Sequence, residues 1–107
     1  MFSSIFLDSP ILLSPTDENG KLVVHGEPGK KVSFVIRVRS YPEVIEFKLR
    51  RSGRNSRTAD VVAEAGSIDV YIGTFSITVQ EDEEFKVSIK NDKFEKEVDG
   101  LVEQEGL

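Results

Sequence analysis

The sequence predicts an all-β protein, and three observations support this prediction. Apolar and polar residues alternate with a period of two along several short segments, as they do in half-buried strands. Turn residues, mainly Gly, Pro, Asn and Asp, separate these segments at intervals of about 8–12 residues. No window of about 11 residues keeps the period of an amphipathic helix. Together they indicate a β-sandwich or β-barrel.

The clearest strand signals lie in the first half of the chain. A β-branched run at residues 21–25 ends at a Gly- and Pro-containing turn, residues 26–29. The next segment places its apolar side chains on one face: Val32, Phe34, Ile36 and Val38. It ends at Tyr41-Pro42, because Pro cannot donate to a strand ladder. Residues 44–49 repeat the alternation, with three side chains expected inward: Ile45, Phe47 and Leu49.

The second half continues the pattern less regularly. Residues 58–63 and 67–72 are weaker strand candidates on either side of Glu64-Ala65-Gly66. After Gly73 and after the acidic turn 81–84, two further strands have inward residues at alternate positions: Phe75, Ile77 and Val79, then Phe85, Val87 and Ile89. A hairpin connection at residues 91–93 precedes a last strand over residues 94–102. These elements predict one domain over residues 10–102.

Length and composition exclude several classes of protein. A chain of 107 residues has room for one core. Its apolar runs are three or four residues long, far short of the roughly 20 that a membrane-spanning helix needs, so we expect no membrane insertion by this segment. The absence of Cys excludes disulfides and thiolate metal sites. A net charge of −5 makes general binding to nucleic acid unfavourable.

The charge is unevenly distributed along the chain. Seven basic residues lie between positions 37 and 57: Arg37, Arg39, Lys48, Arg50, Arg51, Arg54 and Arg57. From Glu81 onward, acidic residues outnumber basic ones. We therefore predict that the basic residues bind a protein partner, which is either an acidic surface of another chain or the acidic stretch of a second copy. For the segment from Arg50 to Arg57, a sulfated glycan is a further possible ligand. The alternative is that both stretches are solvated surfaces.

Catalytic and metal-binding motifs are not apparent. His25 is the single imidazole and has no second His or Cys with which to hold a metal. Neither a nucleophile elbow nor a phosphate-binding Gly loop occurs. The acidic run 81–84 lacks the spacing and the Gly of a Ca²⁺ loop and is better explained as a solvated turn. We expect no enzyme, no metal and no cofactor.

The segment from Gly29 to Pro42 resembles the B strand of an immunoglobulin-superfamily domain of the I-set kind. Ile36 occupies the position of that family's first Cys, and Phe47 that of its core Trp. Residues 75–79 resemble its E strand, and residues 81–91 its F strand. There Phe85 replaces the usual Tyr and Val87 replaces the second Cys, while Asn91 matches the family's Asn.

The resemblance covers residues 10–102 and implies a Greek-key β-sandwich of two packed antiparallel sheets. Three apolar residues would fill the space of the missing disulfide and indole: Ile36, Phe47 and Val87. A fibronectin-III-like or bacterial adhesin-like sandwich is the alternative, since those domains also lack the disulfide. The 51-residue spacing between Ile36 and Val87 suits an I-set-like domain better than a full variable-type one.

The same resemblance implies a binding function. We expect an extracellular recognition module of a cell-surface adhesion receptor in an immune or allorecognition context, with homophilic binding as one form. The alternative is an intracellular structural module of a filamentous or muscle-type scaffold protein, which the absence of Cys favours. Residues 1–9 are expected to be a leader or strand extension and residues 103–107 a C-terminal tail, as in a domain cut from a longer chain.

Overall fold

The structure, a computed structural model, describes residues 9–105. Within that range it contains β-strands and no helix, which confirms the predicted all-β class. The strands are, in chain order, β1 Ile11–Leu12, β2 Leu22–Gly26, β3 Lys31–Arg39, β4 Glu46–Arg51, β5 Arg57–Ala59, β6 Val62–Ala63, β7 Val70–Thr78, β8 Glu83–Lys90 and β9 Glu95–Gln104.

The strands form two sheets that pack face to face around one core. The four-stranded sheet has the order β1-β3-β7-β6, and the five-stranded sheet has the order β2-β9-β8-β4-β5. Strand β3 pairs with β7 rather than with its sequence neighbour β4, so the chain crosses between the sheets as a Greek key requires. The predicted two-sheet sandwich is confirmed.

One strand pair corrects the expectation of purely antiparallel sheets. Strand β2 pairs with β9 in parallel, from Leu22 opposite Gly100 to Gly26 opposite Gln104. Strand β1 belongs to the other sheet, so the N-terminal segment changes sheet between Leu12 and Leu22 without reversing its direction. Strand β2 therefore runs in the same direction as β9, and the two strands pair in parallel.

The last strand extends beyond the predicted domain end at residue 102. It continues to Gln104, and the Glu105 amide donates to the carbonyl of Gly26 at 2.9 Å. The first residues of the predicted tail are therefore part of the sheet. Most of the predicted leader, residues 1–8, and the last two residues of the tail lie outside the described residues.

The alternating segments face inward largely as predicted. In β3, Ile36 and Val38 are fully buried, and Val32 and Phe34 pack against the core at its edge. The inward positions of β8 are buried too. The exception is Ile45, which was expected inward but is 53% exposed. It precedes the first residue of β4, Glu46, and therefore lies outside the alternation that buries Phe47.

The two weaker strand candidates are divided differently from the prediction. Residues 58–63 split between β5 in the five-stranded sheet and β6 in the four-stranded sheet. A turn at Ala65-Gly66 and a bend at residues 68–69 precede β7, which runs without interruption through Gly73 to Thr78. Gly73 is tolerated inside the strand because the ring of Phe47 occupies the space where a side chain would lie.

The three residues expected to replace the disulfide and the indole lie together in the core. Ile36, Phe47 and Val87 are each 0% exposed and belong to one buried cluster. Phe34 joins the sheets at one side of this cluster, with its ring centroid 5.9 Å from that of Phe75 and 5.4 Å from that of Phe85. These contacts fall in the range of favourable aromatic pairs.

The strand registers define two poles of the sandwich. The N-terminal pole contains Ile11, the end of β3 at Arg39 and the β8–β9 hairpin. The C-terminal pole contains Gly26 and Gln104 at the ends of β2 and β9. The described chain thus enters the domain at one pole and leaves it at the other.

Candidate functional site

The predicted basic residues do not form one surface. Arg37 and Arg39 lie on β3 in the four-stranded sheet, whereas the remaining five lie on β4, on β5 and in the loop between them, in or beside the five-stranded sheet. Strands β3 and β4 are consecutive in sequence but belong to opposite sheets. The structure therefore divides the predicted binding residues into two groups.

Arg37 and Arg39 form ion pairs within the four-stranded sheet. Arg37 Nε lies 2.7 Å from Glu64 Oε1, and its Nη2 lies 2.8 Å from Oε2, which is a bidentate pair. This contact holds the pKa of the Glu64 carboxyl below its ordinary value and the pKa of Arg37 above its own. Arg39 Nε lies 3.2 Å from Asp69 Oδ2. Both arginines thus have carboxylate partners in the connection between β6 and β7, beside the same sheet.

Arg50 and Arg51 point to opposite faces of β4. Arg50 pairs with Glu97 on the exposed face of the five-stranded sheet. Arg51 turns inward, where its side chain is 7% exposed, and its Nε donates to Glu83 Oε1 at 2.9 Å. Glu83 is 15% exposed, so this is a largely buried ion pair. The acidic stretch predicted to attract another copy therefore neutralises arginines of its own domain.

Three arginines converge at the C-terminal pole, where β5 faces β7 of the other sheet. Arg51 Nη2 donates to the carbonyl of Thr78 at 3.2 Å, and Arg57 Nη1 donates to the carbonyl of Ser76 at 3.1 Å. Arg54 Nη2 donates to Gln80 Oε1 at 3.2 Å. The space between them, the arginine cleft, measures about 380 Å³ and has these lining residues: Leu49, Arg51, Arg54, Asn55, Arg57 and Thr78.

A second surface feature was not predicted from the sequence. Five large apolar side chains at the N-terminal pole are 45% to 95% exposed: Ile11, Tyr41, Ile45, Ile68 and Phe94. Four of them lie in the connections that follow β3, precede β7 and join β8 to β9. We call this group the apolar pole. Apolar residues at turn positions were the available sequence signal, since turns usually carry polar residues.

A buried asparagine organises the loops of this pole. Asn91 is 1% exposed, and its Oδ1 accepts from the amides of Lys93 at 2.9 Å and Phe94 at 2.7 Å. Its Nδ2 donates to Ser40 Oγ at 3.2 Å, and Ser40 in turn donates to the carbonyl of Pro42. One side chain thus joins the hairpin carrying Phe94 to the loop that follows β3.

The described residues provide little for catalysis or metal binding. Among residues 9–105, no group of three or more His, Cys, Asp or Glu side chains is placed to hold a metal ion. His25 is exposed, with Nδ1 3.7 Å from Glu103 Oε1. Over the same range, no helix is long and apolar enough to cross a membrane.

Comparison with known proteins identifies the fold. No protein-family model matches the sequence, and no curated protein matches it. Titin domain M4 superposes with a TM-score of 0.56 at 18% identity, covering 94% of this chain and 100% of that one. Titin domain M7 gives 0.56 at 8% identity, covering 91% and 94%. The titin Ig tandem A164–A165 gives 0.59 at 13% identity, covering 92% of this chain and 48% of the tandem. Residues 9–105 have an immunoglobulin-like fold.

Proposed function

We propose that this chain is a non-catalytic, intracellular structural module of a filamentous or scaffold protein, in which it transmits tension between its two poles. The observation that carries the proposal is the placement of the chain ends. The described chain enters at the N-terminal pole beside Ile11 and leaves at the C-terminal pole beside Gln104. The likeness to several titin domains, among them a tandem, supports a modular role.

The parallel pair of β2 and β9 lies on the path that such tension would follow. Pulling on the two ends drives β2 toward the N-terminal pole and β9 toward the C-terminal pole. The five residue pairs from Leu22–Gly100 to Gly26–Gln104 are then sheared together rather than separated one by one. A ladder loaded in this way resists force better than one that opens from an end.

The apolar pole supports the same role. Exposed apolar patches on soluble proteins mark contact surfaces, and this one surrounds the point where the chain enters the domain. We propose that its occupant is a neighbouring folded module in the same polypeptide. Side chains such as Tyr41, 79% exposed, and Ile68, 95% exposed, would become covered where two modules meet end to end.

The extracellular receptor hypothesis has less support. The uneven charge favoured it, with the basic residues as a free binding surface, whereas five of the seven form ion pairs with carboxylates of their own domain: Arg37, Arg39, Arg50, Arg51 and Arg54. Self-association through charge would have to break these pairs. We therefore favour the structural module over homophilic recognition.

Single-molecule pulling through the two termini tests the proposal. In a parallel pair, every second residue of a strand bonds its neighbour. The Gly26 carbonyl accepts from the amide of Glu105, the residue after β9, which places Val24 among the bonded residues and His25 among the others. Val24→Pro removes a donor from the ladder and is expected to lower the unfolding force markedly, whereas His25→Pro is the matched control.

The two proline variants also differ in burial, since Val24 belongs to the core and His25 is exposed. A third variant, Val24→Ala, therefore keeps the ladder donor while removing most of the side chain. The proposal expects its unfolding force to stay closer to that of the unmodified protein than to that of Val24→Pro. Equal unfolding forces for Val24→Pro and His25→Pro would contradict a tension-bearing role for this ladder.

A further inference from the structure

The arginine cleft is an electropositive site in an acidic domain. Three guanidinium groups line it, from Arg51, Arg54 and Arg57. Glu83 is the one carboxylate within 4 Å of any of them among residues 9–105, and it contacts both Arg51 and Arg54. The local count is three positive charges against one negative charge, although the whole chain carries −5.

The arginines are held in place by the fold rather than left free in solvent. Arg51 is anchored by Glu83 and by the carbonyl of Thr78. Arg57 is anchored by the carbonyl of Ser76, which uses one N–H of its Nη1. Arg54 follows the turn at Gly53, whose φ of 72° suits glycine, and is oriented by Gln80. Fixing these side chains before binding lowers the entropic cost of recognising a ligand.

Donors remain available inside the cleft. A guanidinium group carries five N–H donors, and Arg57 uses one of them in the contact with Ser76. Asn55 also lines the cleft. A tetrahedral oxyanion accepts several charge-assisted hydrogen bonds from planar guanidinium forks. Inorganic sulfate and a doubly ionised phosphate group carry two negative charges, which equal the surplus positive charge of the cleft.

We propose that the arginine cleft binds a tetrahedral dianion, namely inorganic sulfate, inorganic phosphate or a phosphate monoester, each of which carries up to two negative charges. A single carboxylate fits less well, because it would leave one of the two surplus charges without a partner. The net negative charge of the domain repels anions elsewhere on its surface, so binding is expected at this place rather than over the whole molecule. The proposal does not depend on the structural role proposed above.

The first test is an NMR titration of the full chain with sodium phosphate, sodium sulfate and sodium acetate at constant ionic strength. The signals to follow are the backbone amides of residues 52–58 and the Nε–Hε groups of the arginines. With phosphate and sulfate, we expect saturable chemical-shift changes confined to these signals. The affinity for acetate obtained from the same signals should be about tenfold weaker. Equal responses to all three salts would overturn the proposal.

Matched variants localise the binding. Arg54→Gln/Arg57→Gln is expected to weaken phosphate affinity by about a hundredfold, since each of the two lost charge-assisted contacts is worth about tenfold. Arg50→Gln is the control, because Arg50 points to the opposite face of β4 and pairs with Glu97. Arg54→Lys/Arg57→Lys keeps the charges while removing the guanidinium forks and is expected to give intermediate affinity.

The outcomes distinguish specific anion binding at the cleft from unfolding of a variant and from adventitious binding of an ion. The amide spectrum of each variant reports whether the fold is retained, and the lysine variant provides a second comparison if the glutamine variant unfolds. Unchanged phosphate affinity in folded Arg54→Gln/Arg57→Gln would mean an adventitious ion only. A phosphoserine peptide and a sugar phosphate, both of which carry a phosphate monoester, then identify the source of the anion. If neither binds more tightly than free phosphate, the site is restricted to the small ion.

Discussion

The ring of Phe47 lies directly over the backbone of Gly73 in the opposite sheet. A Cβ atom on Gly73 would lie 2.6 Å from Cδ2 and 2.9 Å from Cγ of Phe47. Gly73 also lies opposite Ile36 in the β3–β7 ladder. Ile36 and Phe47 stand at the positions where the immunoglobulin resemblance expects a Cys and a Trp. The missing side chain of Gly73 therefore makes room for the phenyl ring that fills the centre of the core.

This contact predicts that Gly73→Ala destabilises the domain. The added methyl group has to displace a fully buried ring, and overpacking of this kind costs about 1–3 kcal/mol. Chemical denaturation of the variant measures the loss in free energy of unfolding. The matched control is Thr74→Ala in the same strand, because Thr74 is exposed and its change is expected to stay within about 0.5 kcal/mol.

A double variant tests the proposed cause. Gly73→Ala combined with Phe47→Leu gives the new methyl group space, so the two changes should destabilise less together than the sum of their separate effects. Strict additivity would show that the cost of Gly73→Ala does not come from the Phe47 ring.

The Arg51–Glu83 pair predicts a large effect of neutralising one partner. Glu83→Gln leaves the guanidinium of Arg51, 7% exposed, without its carboxylate. Removing one partner of a buried pair costs about 3 kcal/mol or more. Glu97→Gln is the comparison, because its pair with Arg50 is about half exposed and should contribute less than about 1 kcal/mol. Similar unfolding free energies for the two variants would contradict this ranking.

Asn91 predicts a second buried polar contribution. Asn91→Ala leaves the amides of Lys93 and Phe94 without the Oδ1 that accepts from them. Unsatisfied buried donors cost about 1–3 kcal/mol. Thermal unfolding should show a lower melting temperature, and faster amide exchange should appear in both the β8–β9 hairpin and the loop containing Ser40. Exchange that changes in the hairpin alone would contradict the link to Ser40.

The Arg37–Glu64 pair predicts a dependence on acid pH. Arg37 holds the pKa of Glu64 in the folded protein below its pKa in the unfolded chain. The pair therefore stabilises the fold fully at pH values above the unfolded pKa. The contribution is lost as the pH falls through the folded pKa. A carboxyl ¹³C titration by NMR should find the pKa of Glu64 lowered, and Arg37→Gln should return it toward the ordinary range. An unchanged Glu64 pKa in that variant would contradict the assignment.

The strand pattern was predictable because it depends on local alternation. The apolar positions of β3 and β8 needed only a period of two to be assigned to the core, and Phe47 and Leu49 of β4 followed the same rule. Ile45 did not, because alternation cannot show where a strand begins. It lies in the loop before β4, which begins at Glu46, and is 53% exposed. The parallel pairing of β2 with β9 joins segments far apart in sequence, which no local pattern encodes.

The sequence showed that basic residues cluster between positions 37 and 57, but it did not show how they are arranged in space. The basic stretch was visible in the sequence, yet consecutive strands entered different sheets and separated Arg37 from Arg50. The acidic stretch was expected to meet another molecule, and instead Glu83 and Glu97 neutralise arginines of the same domain. The arginine cleft forms only where β5 comes beside Ser76 and Thr78 of β7.

The sequence by itself determined the fold class, the inward faces of the main strands and the apolar residues at the centre. These follow from a period of two along the chain and from turn residues that interrupt it. Tertiary structure alone decided which charges meet, where the parallel pair forms and which apolar side chains remain exposed at one pole. Those outcomes depend on distances between residues remote in sequence, and such distances are fixed only when the two sheets pack.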